Sequence, residues 1–321
     1  MTKQSHKRLP RSFLVARNDG FTNMIDEIYD DKLKVLQLKA NKARQLVIET
    51  LVEAGSGHSA GPLGMADIFT AFYFHILNHD PENPDWTDRD RLILSNGHIC
   101  PIRYVTMAMA GYFPIEELKT LRKINSRLQG HPHRTALPGV ETTSGPLGEG
   151  LSQAIGIALA ARLDKKNYYT YVLTSDGEHQ EGNTWEAALL AGKMKLNNLI
   201  QVIDYNNIQI DGNVVDVMPL ESMKAKYESF NWHVIEVAGN DIKAFISAIQ
   251  EAHGIHDKPI FIFARTIPGK DVSFMENDYR WHGVPPDIQE MKGAPPKGEQ
   301  AKKALEELMT LQGKIESEHQ A

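Results

Sequence analysis

The feature that most constrains the fold is a regular alternation of strand and helix patterns between residues 150 and 265. Four apolar runs are typical of buried strands: 168–174, 198–204, 233–238 and 259–265. Helical patterns precede or separate these runs: 150–163, 181–195, 220–229 and 241–253. Strands that alternate with helices of about ten or more residues build parallel sheets. We therefore expect an α/β fold, a parallel sheet with helices on both of its faces.

The flanking regions add further helices and suggest a division of the chain. Apolar residues recur at three- and four-residue spacing from Lys32 to Ala54, which indicates an amphipathic helix. A short strand is predicted within "DRLILSNG", and further helical patterns are predicted at 64–77, 99–110, 114–122 and 300–312. We expect a basic arm over 1–31, an α/β domain over 32–290, and a linker with a final helix over 291–321.

Composition excludes several classes of protein. A net charge of -6 disfavours nucleic acid as the main partner, because such binding needs a strongly basic surface. No apolar run approaches the roughly 18 residues of a membrane helix. The single cysteine, Cys100, fits a reducing cytoplasm and is expected to be a buried small residue, with a nucleophile as the alternative. The basic segment "KRLPRSFLVAR" lacks a signal-peptide core and is read as a solvated or partner-docking arm.

Two polar turns follow neighbouring predicted strands. Asp176 stands after the first of them, in "LTSDGEHQEG", and Asn206 after the second, in "DYNNIQIDG". A crossover helix, a strand and two short turns use roughly thirty positions, so both turns should emerge at the same edge of the sheet. A carboxylate and an amide oxygen at that edge suit Mg²⁺, with a main-chain carbonyl as a third ligand. The alternative is that both are ordinary turns.

Glycines and histidines cluster in other predicted loops. The segment "SGPLGEGLSQAIG" places glycines before a helix that starts near residue 150, where N–H groups meet an anion in many proteins. Imidazoles in such loops can bind sugar hydroxyls or phosphate and move protons. The alternative for "HPH" is zinc, which needs further N or S ligands. Five histidines stand in Gly- or Pro-containing turns: His58, His98, His131, His133 and His282.

Taken together, these segments resemble the amino-terminal, diphosphate-binding half of transketolase. The family's thiamine diphosphate and Mg²⁺ signature is matched by "SDGEHQEG" through "DYNNIQIDG", with Ser175 in place of the first glycine. The segment "GSGHSAGPLGMADIF" is similar to another family loop, with Ser59 and Ala60 in place of Pro-Gly. The segments "RDRLILSNGH", "GHP", "TTSGPLGEGLSQAIG" and "WHG" also match, so the resemblance covers roughly residues 33–290.

The resemblance implies a set of site residues. It implies Asp176, Asn206 and the carbonyl of Ile208 as metal ligands. It places His58 and His131 near the sugar hydroxyls, and Glu181 where a glutamate links the two halves of the active site. It assigns the following residues to the coenzyme: His98, Gly145, Pro146, Leu147, Gly177, Asn206 and His282, the last also with a catalytic part.

The resemblance also implies cofactors, substrates and a partner. Thiamine diphosphate and Mg²⁺ are expected, with Ca²⁺ or Mn²⁺ as substitutes, and the substrates are sugar phosphates, as in the pentose phosphate pathway. Family enzymes carry a pyrimidine-binding domain that this sequence does not match. We therefore expect one subunit of a split transketolase, paired with a separate chain as an α2β2 heterotetramer in the cytoplasm.

Two alternatives remain at the level of sequence. The first is a specialised two-carbon transferase for a branched, sulfonated or secondary-metabolite sugar, which a donor-substrate screen would identify. The second is a non-catalytic chain that binds thiamine diphosphate without ever meeting a pyrimidine-domain partner.

Overall fold

The computed structural model describes residues 30–318, so the predicted arm over 1–31 lies almost wholly outside the described residues. Seven strands occur in chain order: β1 (Arg91–Leu94), β2 (Thr170–Ser175), β3 (Leu199–Tyr205), β4 (Ile208–Gln209), β5 (Gly212–Asn213), β6 (His233–Ala238) and β7 (Ile260–Arg265). Five of them form one parallel sheet in the order β1-β2-β3-β7-β6. The other two, β4 and β5, form a small antiparallel hairpin directly after β3.

Helices cover both faces of the large sheet. They are α1 (Asp30–Ala54), α2 (Ala60–Gly64), α3 (Ala66–Ala71), α4 (Cys100–Ala110), α5 (Glu149–Leu163), α6 (Gly182–Met194), α7 (Val214–Val217), α8 (Met223–Ser229), α9 (Ile242–His253) and α10 (Gln300–Glu318). On β2, Tyr171 and Leu173 belong to a core shared with α1, α3, α4 and α9, whereas Val172 belongs to a core shared with α5, α6 and α8. The predicted α/β architecture is confirmed.

Some predicted boundaries are wrong, for local reasons. The segment 64–77 contains the end of α2, the short helix α3 and a π-helical turn (Phe72–Ile76) rather than one helix. The segment 114–122 holds only a 3-10 helix (Ile115–Thr120), and the chain takes positive φ values of 60° at Arg122 and 65° at Asn125 directly after it. Positive φ cannot continue a right-handed helix.

The last helix packs against the first. The buried amide of Asn41 on α1 donates a 2.9 Å hydrogen bond to the carbonyl of Leu308 on α10. The helix α10 extends to Glu318, beyond the predicted end at residue 312. The proposed division of the chain at residue 290 stays a prediction. Within residues 30–318, none of the helices combines the length and apolar character that crossing a membrane requires.

One glycine reports how closely α6 approaches its neighbours. A Cβ added at Gly192 would collide with the carbonyl oxygen of Phe230, just after α8. We expect Gly192→Ala to cost about 3 kcal/mol of the free energy of unfolding, because the obstacle is backbone rather than a flexible side chain. The matched control is Gly156→Ala on α5, where no atom lies within 4 Å of the added Cβ. That change should stabilise the chain by up to about 1 kcal/mol. Urea denaturation measures both, and equal stabilities would contradict the packing described.

Candidate cofactor site at the carboxyl edge of the sheet

The ends of β2 and β3 bring the two predicted turns together. The strands pair in parallel with Ser175 opposite Asp204, so the next residues emerge side by side. The carboxylate of Asp176 accepts a 2.6 Å hydrogen bond from the N–H of Asn207. The main-chain N–H of Asp176 donates to the carbonyl of Asp204. The side chain of Asp176 also accepts from the N–H of Gly177 at 2.8 Å. The convergence expected from a spacing of about thirty residues is therefore present.

A second carboxylate, which the sequence analysis missed, orients Asn206. Asp204 is buried at the end of β3 and accepts hydrogen bonds from the amide of Asn206, at 2.9 Å, and from the hydroxyl of Thr266 beyond β7. The amide oxygen of Asn206 in turn accepts from the N–H of Ile208 at 3.0 Å. An acidic residue at the last buried position of a strand, two before Asn206, was the only signal in the sequence.

The two acids carry an electrostatic cost. Burial raises the pKa of Asp176 to about 7, and the neighbouring carboxylate of Asp204 adds to this rise. Burial likewise raises the pKa of Asp204 to about 7, opposed by the hydrogen bonds from Thr266 and Asn206. A divalent cation would lower this cost, because it favours the ionised carboxylates.

The donor set fits a hard cation rather than zinc. Across residues 30–318, no group of three or more His, Cys, Asp or Glu side chains is placed to hold a metal ion. Carboxylate, amide and main-chain oxygens are the ligands that Mg²⁺ takes, usually with water or ligand phosphate in the remaining positions.

Three histidines from separate loops stand together. The ring centroids of His58, His98 and His282 lie 4.9, 5.1 and 5.3 Å apart. The hydroxyl of Ser59 joins two of the loops that carry them, because it lies 3.0 Å from the carbonyl of Trp281 and 2.6 Å from that of Val284. The sequence marks Ser59 only by its place in the loop where the family has Pro-Gly.

These histidines are neutral in the folded chain. Burial lowers the pKa of His58 to about 3 and that of His282 to about 4, and it lowers the pKa of His98 well below its usual range. The neighbouring His282, His131 and Arg122 lower the pKa of His58 further. The Nδ1 atoms of His58 and His282 are buried and have no hydrogen-bond partner among the described residues. Such atoms are available to a polar ligand.

Glu178 occupies the place where an anion was expected. Its carboxylate accepts a 2.6 Å hydrogen bond from the N–H of Gly148, at the start of α5. The N–H of Gly150 donates to the hydroxyl of Ser95 at 3.0 Å. The N–H groups of these two glycines are therefore already bonded within the chain, one of them to a carboxylate.

The loop that holds Gly145, Pro146 and Leu147 leads directly into α5, beside other unpartnered polar atoms. A Cβ added at Gly148 would collide with the Oδ1 of Asn183, a buried atom without a hydrogen-bond partner in the part of the chain that the structure describes. The same is true of the buried Nε2 of Gln209, whose side chain is the nearest neighbour of a Cβ added at Gly177. Glu181 lies exposed at the N-cap of α6.

A basic pocket adjoins the histidines. It has a volume of about 470 Å³ and is lined by Arg122, Lys123, Gln129, Gly130, His131, Pro132, His133, Thr143 and Ser144. A Cβ added at Gly97, the residue before His98, would meet Ser144 and lie 3.3 Å from the ring of His131. The pocket therefore continues from the cluster formed by His58, His98 and His282.

Comparisons with known proteins agree with this fold and site. A family model for the transketolase thiamine diphosphate binding domain matches residues 35–298. The 6-deoxy-6-sulfo-D-fructose transketolase subunit SqwG of Clostridium sp. (strain MSTE9) is 40% identical over 249 residues, covering 78% of this chain and 90% of that protein. The apulose-4-phosphate transketolase of Phocaeicola vulgatus contains a subunit that is 39% identical over 255 residues, covering 79% of this chain and 90% of that protein.

Solved structures agree as well. Transketolase from Pichia stipitis, in complex with sedoheptulose 7-phosphate, superposes with a TM-score of 0.76 at 32% identity, covering 88% of this chain and 46% of that one. The fold and the family match together define a thiamine diphosphate-binding α/β protein. The chain belongs to the transketolase family and is a subunit of the ketol-transferring kind, as the sequence predicts. Relatives of similar length are named as subunits, which implies a partner chain.

The neutral histidines give a prediction that does not depend on any ligand. We expect the imidazoles of His58 and His282 to stay neutral down to about pH 5, because burial lowers their pKa values to about 3 and about 4. In the urea-unfolded chain they should titrate near pH 6.5. Their contribution to stability is therefore present above about pH 6.5 and is lost as the pH falls towards the folded values. NMR of histidine-labelled protein measures this, and a folded-state midpoint above about pH 6 would contradict it.

Proposed function

We propose that this chain is the diphosphate-binding subunit of a transketolase that moves a two-carbon ketol unit from a ketose phosphate to an aldose phosphate. The observation that carries the proposal is the meeting of the turns of Asp176 and Asn206 at one edge of the sheet. A cluster of buried histidines with lowered pKa values supports it. The proposed metal is Mg²⁺, with Ca²⁺ or Mn²⁺ as substitutes. Its proposed ligands are Asp176, Asn206 and the carbonyl of Ile208, supported by the match between their chemistry and a hard cation.

The chain's own residues bind and orient the coenzyme in this proposal. The residues that contact it in this proposal are His98, Gly145, Pro146, Leu147 and Gly177. They lie on three loops, after β1, before α5 and after β2, and hydrogen bonds to Glu178 join these loops. Glu181, exposed at the start of α6, faces the other half of the active site. When bound, thiamine diphosphate supplies an electron sink for cleavage of a carbon–carbon bond.

The histidines hold and move protons. A neutral imidazole donates from one ring nitrogen and accepts at the other. His58, His131 and His282 are therefore proposed to hydrogen-bond the sugar hydroxyls and carbonyl and to pass a proton between them. Burial supports this role, because it keeps His58 and His282 uncharged at neutral pH.

The basic pocket is proposed to take the anionic end of the substrate. The two subunits similar to this chain are named for a sulfonated and a phosphorylated sugar, and both sugars carry an anion at one end. Arg122 and Lys123 line the pocket next to His131, so an anion seated there would place the remaining sugar near the histidines. Phosphate and sulfonate share the sets of oxygens that arginine binds well.

The partner is proposed to be a separate chain with the pyrimidine-binding domain, assembled as an α2β2 heterotetramer. A cytoplasmic location is part of the proposal, because the single cysteine suits a reducing compartment. A net charge of -6 supports the absence of nucleic acid as a partner.

The test is to purify the chain with the protein that co-elutes with it and to assay ketol transfer in the mixture. The donor panel should include phosphorylated, sulfonated and branched ketoses, so that a specialised transferase is distinguished from a general one. Transfer that needs both chains, thiamine diphosphate and Mg²⁺ supports the proposal. Coenzyme binding without transfer from any donor would instead support a non-catalytic chain.

The metal site gives a second prediction. In the assembled complex we expect Asp176→Asn, which keeps the shape but removes the charge, to weaken Mg²⁺-dependent coenzyme binding by about 100-fold or more. Residues that only orient metal ligands typically cost 10- to 100-fold. Asp176→Ala should abolish the binding. The control is Asp211→Asn, an exposed acid at the tip of the nearby hairpin, which should leave the affinity unchanged. Calorimetry measures the affinities, and unchanged binding by Asp176→Asn would exclude this metal site.

The pocket gives a third prediction, which concerns substrate charge. We expect Arg122→Gln to raise the KM for a phosphorylated donor by about tenfold, the effect of losing one charge-assisted hydrogen bond. For an uncharged ketose the change should stay within about twofold. The matched control is Arg134→Gln, an exposed arginine that does not line the pocket. Equal effects on charged and uncharged donors would show that the pocket does not bind the anion.

A further inference from the structure

We propose that Glu178 is a positioning residue whose carboxylate holds three loops of the coenzyme site in place before any ligand binds. The inference rests on the proposed function, because the loops matter only if the coenzyme binds there. Glu178 itself lies one residue beyond Gly177, in the 3-10 turn that follows β2, and it is fully buried.

One side chain reaches three separate segments. The carboxylate of Glu178 accepts from the hydroxyl of Ser95, directly after β1. It also accepts from the N–H of Gly148, which precedes α5, at 2.6 Å, and from the N–H of Ser175 at 3.2 Å. These segments lead to His98, to the loop at 145–147, and to Asp176, so the carboxylate links three of the loops proposed to face the coenzyme.

The partners of Glu178 within residues 30–318 are N–H and O–H donors rather than cations. The amino terminus of α5 carries a partial positive charge from the aligned peptide dipoles, which favours a carboxylate at this point. Losing one of these donors would cost more free energy for a buried carboxylate than for an exposed one. The arrangement therefore depends on all three loops being in place together.

The start of α5 depends on these hydrogen bonds because its own N-cap residue has no side chain that could cap it. The N-cap residue is Gly148, which has φ 83° and no side chain with which to bind the first N–H groups. A Cβ added at Gly150 would collide with Ser95, so α5 approaches the end of β1 more closely than any other residue would permit. Glu178 and Ser95 supply the cap from the ends of two strands, and the path of residues 145–147 follows from that cap.

A built-in carboxylate also affects where the coenzyme lies. The N–H groups of Gly148 and Gly150 are already bonded, and a diphosphate placed on them would meet the carboxylate of Glu178. The anionic end of the coenzyme would thereby be directed to the cation proposed at Asp176 instead of to the helix start.

The decisive variant is Glu178→Gln. The amide keeps the size and shape of the side chain, but it replaces one acceptor with a donor that faces donors. In the coenzyme-free chain, amide hydrogen exchange at 145–150 should accelerate by about tenfold, because the loops are no longer held. In the assembled complex, affinity for thiamine diphosphate with Mg²⁺ should fall about 10- to 100-fold, the range for groups that orient ligands without binding them.

Two further variants separate positioning from other effects. Glu149→Gln removes an exposed carboxylate from the same first turn of α5 and should change both readouts by less than about twofold. Ser95→Ala removes one donor to Glu178 and the acceptor of Gly150, so it should weaken binding as well. The two losses should not add in the double variant, because they act on one network.

The outcomes distinguish this inference from the proposed function. If the wild-type complex does not bind the coenzyme, the proposed function and this inference both fail. If the wild type binds, then unchanged exchange or unchanged affinity in Glu178→Gln overturns this inference alone. A loss of affinity that disappears after correction for the folded fraction also overturns it, since Glu178 would then serve stability only. If Glu178→Gln does not fold, the same two readouts on Ser95→Ala decide the matter.

Discussion

The parallel pairing of β2 with β3 is the constraint on which the rest of the site depends. Because Ser175 lies opposite Asp204, the residues that follow both strands leave the sheet at one edge and hydrogen-bond to one another. Both faces of these strands are buried, and a slip of one residue would move Tyr171 and Leu173 out of one core and Val172 out of the other. Packing against two different cores therefore fixes the register. Packing in the interior therefore determines the distance between two polar groups at the edge of the sheet.

Burying ionisable groups at this site costs the folded chain free energy. Burial raises the pKa values of Asp176, Asp204 and Glu178 to about 7, and it lowers those of His58 and His282. Each shift records a charged form that the site disfavours without a ligand. The Nδ1 atoms of His58 and His282 are likewise unsatisfied without a ligand, because they have no hydrogen-bond partner among the described residues. A site with such properties gains more from a cation and a polar ligand than a solvated surface would, which is typical of functional sites.

The sequence predicted the parts of this arrangement that local patterns encode. Periodicity predicted the strands and helices from residue 150 onwards, and a spacing of about thirty residues predicted that Asp176 and Asn206 meet. It did not predict Asp204 or Glu178, because their importance lies in partners elsewhere in the chain: Ser95 precedes Glu178 by 83 residues, and Gly148 precedes it by 30. It also assigned a helix to 114–122, where apolar spacing is compatible with a helix but positive φ values end it early.

The charges divide the site into regions that can change independently. Acidic groups at the ends of β2 and β3 suit a cation, a second group consists of buried histidines, and the basic pocket adjoins the histidines. In the proposed function the first region binds the coenzyme and the last region binds the anionic end of the sugar. Burial lowers the pKa values of His58 and His131, and Arg122 in the pocket lowers both further, so the pocket also helps to keep these two histidines neutral. In the proposed function, substitutions in the pocket would therefore alter sugar preference while the coenzyme edge stays intact.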